Sequence, residues 1–355
     1  MNSLPEEQSQ REEQSQREAR SQREAQGQVD PTPEPGQTRV TSDAQREQLM
    51  VQAAKLYYDM QLTQHEIAQR LGLTRWQVGK MLTDAREIGI VRIQIVPNSP
   101  RLPHLESDLQ KGFNLRDAVV VPVQFDNEAV ILDMLGQASA NYLTALSPRP
   151  KEIGLSWGHT MAAMVRWIPQ GWNKGVHVIA LNGGTSRTSV PTQPVHVASA
   201  LATAGGGYAT ILPVPGIVGL PSTREALEKD PAISDVLQLA DQVPLAIFAA
   251  GALSKDSVLV EAGNLPEEKV DELRRLGSVG DVLGRFIDQQ GNIVDPSIDS
   301  RTVGLHPARL REKSHSICVA GGKAKHLAVL GALRARYCNI LITDQETALF
   351  LLKKL

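Results

Sequence analysis

Apolar residues recur at helical spacing through the first folded part of the chain, and the spacing then changes. Over Asp43–Met60, Leu49, Ala53, Leu56, Tyr57 and Met60 form one stripe and predict a helix. Ile67, Ala68 and Leu71 make a shorter stripe, and Gly72 follows where that helix must stop. Leu73-Thr74 leads into a third helix with Thr74 as its N-cap. On it Val78, Met81, Leu82, Ala85 and Ile88 share a face. At roughly 100° per residue, the opposite side carries Trp76, Lys80 and Thr83, with Gln77 beside them and Arg75 at the helix start. Gly89 ends the helix, and Val91, Ile93 and Ile95 alternate with Arg92 and Gln94 as a half-buried strand does. Three helices and a strand in this order predict a winged helix-turn-helix over residues 43–97. Small Ala68 lets the two reader helices approach, and Gly72 suits the turn between them.

Past the wing, Pro97, Pro100 and Pro103 mark an extended hinge, placed at residues 98–104. From residue 105 to 355 strands and helices alternate. The apolar runs are AVVVPV (Ala118–Val123), EIGLSWG (Glu152–Gly158), VHVIALNGG (Val176–Gly184), ATILPVPG, PLAIFAAG, SICVAGG and NILITD (Asn339–Asp344), with a helix expected over Ala129–Leu146. Continuously apolar strands separated by helices imply a Rossmann-like parallel sheet covered on both faces, an α/β fold. In such sheets ligands sit outside the carboxyl ends of the strands. That is where the chain repeatedly places Gly, Ser, Thr and Asn.

Composition narrows the function. The net charge is −2, and residues 41–97 have nearly balanced acids and bases, so no bulk field draws the chain to phosphate. A DNA reader of this kind is expected to gain its grip by forming a homodimer or homotetramer. No apolar run is long enough to span a bilayer, and no secretory apolar region opens the chain, so a cytoplasmic location is expected. Cys318 and Cys338 are expected as buried thiols rather than a disulfide. Neither a cofactor fingerprint nor metal-ligand spacing is present. Residues 1–42 are a Gln/Glu/Arg-rich tail in which SQRE recurs at Ser9, Ser15 and Ser21. So few large apolar residues cannot offset the entropy of ordering, which predicts disorder.

One resemblance is specific. Leu62-Thr63-Gln64, Ile67-Ala68 and Leu71-Gly72-Leu73-Thr74, then Gly154–Thr160, Asn182-Gly183-Gly184, Gly277–Gly284, Ala320–Lys325 and Leu341–Asp344 occur together and in this order. As a set they resemble the SorC/DeoR-type sugar-binding transcriptional regulators, from about Asp43 to the end of the chain. The resemblance implies operator DNA as one partner and a phosphorylated sugar as effector. It also implies a large domain similar to sugar-phosphate isomerases and deaminases. DNA contact falls to Thr74, Arg75, Trp76, Gln77 and Lys80, with Gln77 expected on a base edge.

The effector falls to Ser156, Gly158, His159, Thr160, Asn182, Gly183, Gly184, Asp281, Leu283, Gly321, Gly322 and Lys325. Ser156, Gly158 and Thr160 lie at a strand-to-helix junction, where free N–H groups and a hydroxyl hold phosphate. Lys325 is expected to neutralise that phosphate, Asp281 to accept from sugar hydroxyls, and Leu283 to line the pocket. Three departures stand out: His159 where Arg or Lys is common in the family, Ala250-Gly251-Ala252 where a glycine pair flanks an isoleucine, and Gly79 inside the reader helix where Ser is frequent. The competing readings are a sugar-phosphate isomerase or deaminase with an appended reader, and a protein-interaction module. Catalysis needs a tuned general base, and Asp281 stands without a paired acid.

Overall fold

The computed structural model describes residues 43–91, 101–123, 127–185 and 192–355. The chain divides into two compact units with the boundary after Pro97.

In the first unit, α1 (Asp43–Ala54), α2 (Gln64–Leu71) and α3 (Arg75–Glu87) pack around Ala53, Ala54, Ile67, Ala68, Val78 and Leu82. Both reader helices begin with a capping box: Thr63 with Glu66 on α2, Thr74 with Gln77 on α3. Each box satisfies two N–H groups that a helix start leaves unpaired. Gly72 then takes φ +67° and turns the chain between the helices. The first helix departs from its expected stripe. It ends at Ala54 and widens into a π-turn, Lys55–Asp59, whose extra residue per turn rotates the face presented to the core. Met50, Ala53 and Ala54 are buried, while Tyr57 and Met60 are exposed. On α3 Met81 is only half-buried, and Ile88 is an exposed C-cap. Of the expected wing only Val91 is described, packed against this core. The rest of the wing, the tail and residues 98–100 of the hinge lie outside the described residues. The hinge is also shorter than expected, because Pro103 is the first residue of α4 (Pro103–Phe113). Proline suits that position, where no intrahelical N–H is needed.

The second unit is built on a seven-stranded sheet. Its strands are β1 (Asp117–Val121), β2 (Glu152–Leu155), β3 (His177–Ala180), β4 (Tyr208–Thr210), β5 (Leu245–Phe248), β9 (His315–Val319) and β10 (Ile340–Asp344). Their order is β1-β10-β9-β5-β2-β3-β4, and every neighbouring pair is parallel. Both faces are covered. One carries α5 (Glu128–Ala145), α6 (His159–Arg166) and α7 (Pro194–Ala204); the other carries α4, α8 (Pro231–Gln242), α9 (His326–Arg334) and α10 (Gln345–Leu352). β9 shows why the apolar runs are continuous. Ile317 and Val319 enter one core, Cys318 and Ala320 the other. Both cysteines are buried free thiols.

Two apolar runs behave differently from expectation. Of ATILPVPG only Ala209 and Thr210, following Tyr208, join the sheet, because Pro213 and Pro215 have no N–H for a ladder. PLAIFAAG breaks at Ala249 into β5 and β6 (Ala250–Ala252). β6 pairs antiparallel with β7 (Gly280–Val282), which pairs antiparallel with β8 (Arg285–Ile287). Asp281 therefore sits on a small second sheet and not at the end of a parallel strand.

Candidate effector site

From β2 the chain proceeds outward through β3 and β4, and β5 returns on the other side of β2. The strand order thus reverses between β2 and β5, the place where a parallel sheet opens a crevice at its carboxyl edge. A cavity of about 550 Å³ lies there. The ends of β2, β3, β5 and β9 contribute Ser156–Thr160, Asn182, Ala249–Ala252 and Gly321. The β7–β8 hairpin adds Asp281, Leu283 and Gly284, and α5 supplies an apolar wall of Ile131, Leu132 and Leu135.

One set of groups in the wall suits an anion. Gly158, at φ +112°, is the N-cap of α6 and has no side chain to cap it. The first N–H groups of that helix, at His159 and Thr160, are left for a ligand at the positive end of the helix dipole. Thr160 is buried, and Lys325 donates to its hydroxyl at 3.4 Å. Burial holds the Lys325 ammonium below the usual lysine range, opposed by Glu128, Cys318 and Asp281. An anion placed there restores the lost solvation. At the rim, His159 Nε2 lies 3.1 Å from Glu261 Oε2.

A second set of groups in the wall suits hydroxyls. Asp281 Oδ2 accepts the Gly284 N–H at 3.0 Å, leaving its other oxygen to a ligand. Burial pushes its carboxyl up to about 6, against the pull of the Gly284 N–H and Lys325. Its cross-strand partner is Gly251, where a Cβ would stand 2.0 Å from Asp281 Oδ1. The glycine inside Ala250-Gly251-Ala252 is what makes room for the carboxylate. The hairpin turns on Leu283 and Gly284, at φ +54° and +80°, a left-handed pair of the type I′ form. A leucine is strained there, and it holds a buried side chain against the cavity. Asn182 is buried with an Oδ1 that has no partner among the described residues, an acceptor open to a hydroxyl donor.

Nine of the twelve expected effector residues line this cavity; Gly183, Gly184 and Gly322 do not. Their N–H groups are already engaged, by Val303 O at 3.1 Å, Val214 O at 2.9 Å and Asp344 Oδ2 at 2.8 Å. Gly184 is small so that the Trp157 ring can pack on it, since a Cβ there would lie 2.4 Å from the indole. Trp157 in turn donates to Gly183 O at 3.0 Å. Sequence reasoning missed the α5 wall and the Ser254–Leu259 flank. The first carries the same 3.6-residue apolar period as any core helix, and the second carries no motif.

On the reader helix, Trp76 is 72% exposed with the Lys80 ammonium 5.6 Å from its ring centroid, a cation–π pair. Arg75 and Lys80 are exposed. Gln77 is committed in part: its Oε1 accepts the Thr74 N–H at 2.8 Å and the Thr74 hydroxyl at 3.0 Å. Bidentate pairing with adenine uses both amide atoms, so only the Gln77 NH₂ remains for a base while the cap holds. Among the described residues no acid, His or Cys cluster could hold a metal, and no helix is long and apolar enough to cross a membrane.

A helix-turn-helix reader and a sheet domain with an anion-and-hydroxyl cavity together define a ligand-controlled regulator. The family model "Putative sugar-binding domain" matches residues 100–353. The deoxyribonucleoside regulator of Bacillus subtilis is 33% identical over 306 residues, 86% of this chain and 97% of that protein. The sorbitol operon regulator of Klebsiella pneumoniae is 31% identical over 312 residues, 86% of this chain and 98% of that protein. The crystal structure of the full-length sorbitol operon regulator SorC from Klebsiella pneumoniae superposes with a TM-score of 0.64 at 28% identity, covering 88% of this chain and 100% of that one. The chain belongs to the SorC/DeoR-type family of sugar-binding transcriptional regulators. These relatives are regulators and not enzymes, so the isomerase or deaminase alternative gains nothing from them.

Proposed function

We propose that the chain binds operator DNA through α2 and α3 as a cytoplasmic homodimer or homotetramer, and that a phosphorylated sugar in the cavity controls that binding. One observation carries the ligand class. The uncapped start of α6, the Thr160 hydroxyl and the Lys325 ammonium converge in the cavity wall. Asp281 and Asn182 offer free acceptors elsewhere in its wall. Phosphate takes the first group and sugar hydroxyls take the second. Thr74 and Gln77 cap the reader helix, with Arg75, Trp76, Lys80 and the Gln77 NH₂ towards DNA.

The test is a thermal-shift screen of pentose and hexose monophosphates, followed by gel shifts on genomic fragments with and without the best ligand. A ligand that binds only the folded chain raises the melting temperature. The expected result is a shift for a phosphorylated sugar, none for its unphosphorylated form, and a changed operator affinity in its presence. Equal shifts for both forms would remove phosphate from the recognition. DNA binding that ignores every ligand of the screen would remove the control.

A further inference from the structure

Arg285 is fully buried, yet it does not line the cavity. A guanidinium out of water is costly unless its donors are all engaged. Here Nε donates to Asp299 Oδ1 at 2.7 Å, Nη1 to Leu305 O at 3.1 Å, and Nη2 to Thr302 O at 3.2 Å and Gly304 O at 3.4 Å. The acceptors lie on one segment, Asp299–Leu305, which runs between the two groups we assign to sugar hydroxyls. On one side Gly304 bridges antiparallel to Asn182, Gly183 donates to Val303 O at 3.1 Å, and Leu305 donates to Leu181 O at 2.7 Å. On the other side Arg285 pairs with Val282 in the hairpin that carries Asp281 and Leu283. Asp281 belongs to the antiparallel sheet and Asn182 follows β3 of the parallel sheet, and among the described residues no ladder joins these sheets.

We propose that Arg285 is a positioning residue: through segment 299–305 it sets the spacing between Asp281 and Asn182, and with it the selectivity of the cavity for the sugar part of the effector. This rests on the sugar-phosphate reading of the cavity. Only arginine meets the geometry, because its planar fork presents five donors in fixed directions, whereas a lysine ammonium reaches one or two acceptors. The groups assigned to phosphate stand on other elements, α6 and the turn before α9, so a loosened clamp acts on hydroxyl recognition and spares the anion.

The experiment is calorimetry on the full chain with two probes: inorganic phosphate, and the sugar monophosphate giving the largest thermal shift with wild type. Arg285→Lys is expected to lose about tenfold or more in affinity for the sugar phosphate and to hold inorganic phosphate within about twofold. Asp299→Asn keeps the arginine and its three carbonyl contacts and weakens only the ion pair. It is expected to show the same split to a smaller degree, and it carries the test where Arg285→Lys does not fold. Wild-type sugar-phosphate affinity in both variants would overturn the clamp, and so would an equal loss for both probes, which is the mark of general destabilisation. A wild-type chain that binds no sugar phosphate would remove the reading beneath the proposal, and the clamp with it.

Discussion

At the scale of single residues the cavity is a place where stability is given up for recognition. Asp281 has its carboxyl at about 6 in the folded chain against an ordinary 3.8. Between these values the folded chain keeps a proton that the unfolded chain has released. The stability contributed by the neutral acid is therefore fully present below about pH 4 and lost as pH rises through 6. Asparagine is neutral at every pH and still accepts the Gly284 N–H. Asp281→Asn is thus expected to melt above wild type at pH 8, by an equivalent on the order of 1–2 kcal/mol after solvent screening. The gap should grow between pH 4 and 6 and stay level above. A pH-independent gap in thermal unfolding would contradict the burial argument. The same substitution removes the charged acceptor for a hydroxyl, so it should weaken a sugar phosphate and leave inorganic phosphate in place. Lys325→Ala tests the groups assigned to phosphate. It removes a charge-assisted contact, roughly 1.5–3 kcal/mol or about ten- to a hundredfold in effector affinity. Operator affinity without effector should stay nearly unchanged, because Lys325 belongs to the other compact unit from α3. Calorimetry and gel shift on the one variant read both.

At the scale of elements, the reader and the cavity wall each depend on a tight local fit. Thr74 ties the start of α3 through its cap with Gln77, and Thr74→Ala is expected to cost about 1 kcal/mol in unfolding of the reader. Lys80→Ala leaves that cap intact and removes an exposed cation. It should weaken binding to all DNA sequences and lower the salt slope by about one unit; an unchanged slope would take Lys80 off the phosphates. Between α5 and α6 the contact is Gly136, where a Cβ would lie 2.8 Å from the Ala163 carbonyl carbon. Gly136→Ala must push these helices apart, with an expected loss of about 1–3 kcal/mol in thermal unfolding and a weaker effector, since both helices line the cavity. The large sheet was readable from its sequence because strands buried on both faces are continuously apolar. The second sheet was not. β6, β7 and β8 are three residues each, and β6 and β7 carry glycine, so no period forms. The π-turn after Ala54 was equally hidden, because Leu56, Tyr57 and Met60 continue a regular helical stripe in sequence; in space Leu56 still packs on the core while Tyr57 and Met60 leave it. In the cavity, strand-end glycines and hydroxyls pointed to the carboxyl edge of the sheet, where the cavity lies. Gly183 and Gly184 lie outside the cavity because one admits the Val214–Pro215 backbone and the other a tryptophan ring, and such glycines look the same in sequence as one that admits a ligand.

At the scale of the whole molecule, the charge and the size of the reader decide how affinity is assembled. With a net charge of −2 the chain has little long-range attraction for DNA, and one reader module covers only roughly 600–1,000 Å² of protein surface. Tight specific binding then requires two readers on one operator, with half-sites about one helical turn, roughly 34 Å, apart or a multiple of it. The expected assembly is a dimer or tetramer held through the large unit, and a monomer in sedimentation at micromolar concentration, with and without operator, would contradict it. Such an assembly also fixes the form of the control. If filling the cavity changes operator affinity by some factor, occupancy of the operator must change effector affinity by the same factor, because both routes connect the same four states. Typical couplings are about 5- to 150-fold, well within reach of gel shifts at saturating effector and of effector titrations at saturating operator. The two factors are expected to agree, and Lys325→Ala should preserve their equality while moving the effector concentration at which the change occurs. Unequal factors would mean that DNA and sugar phosphate act on different oligomeric states, so that assembly itself, and not a shift within one assembly, carries the signal.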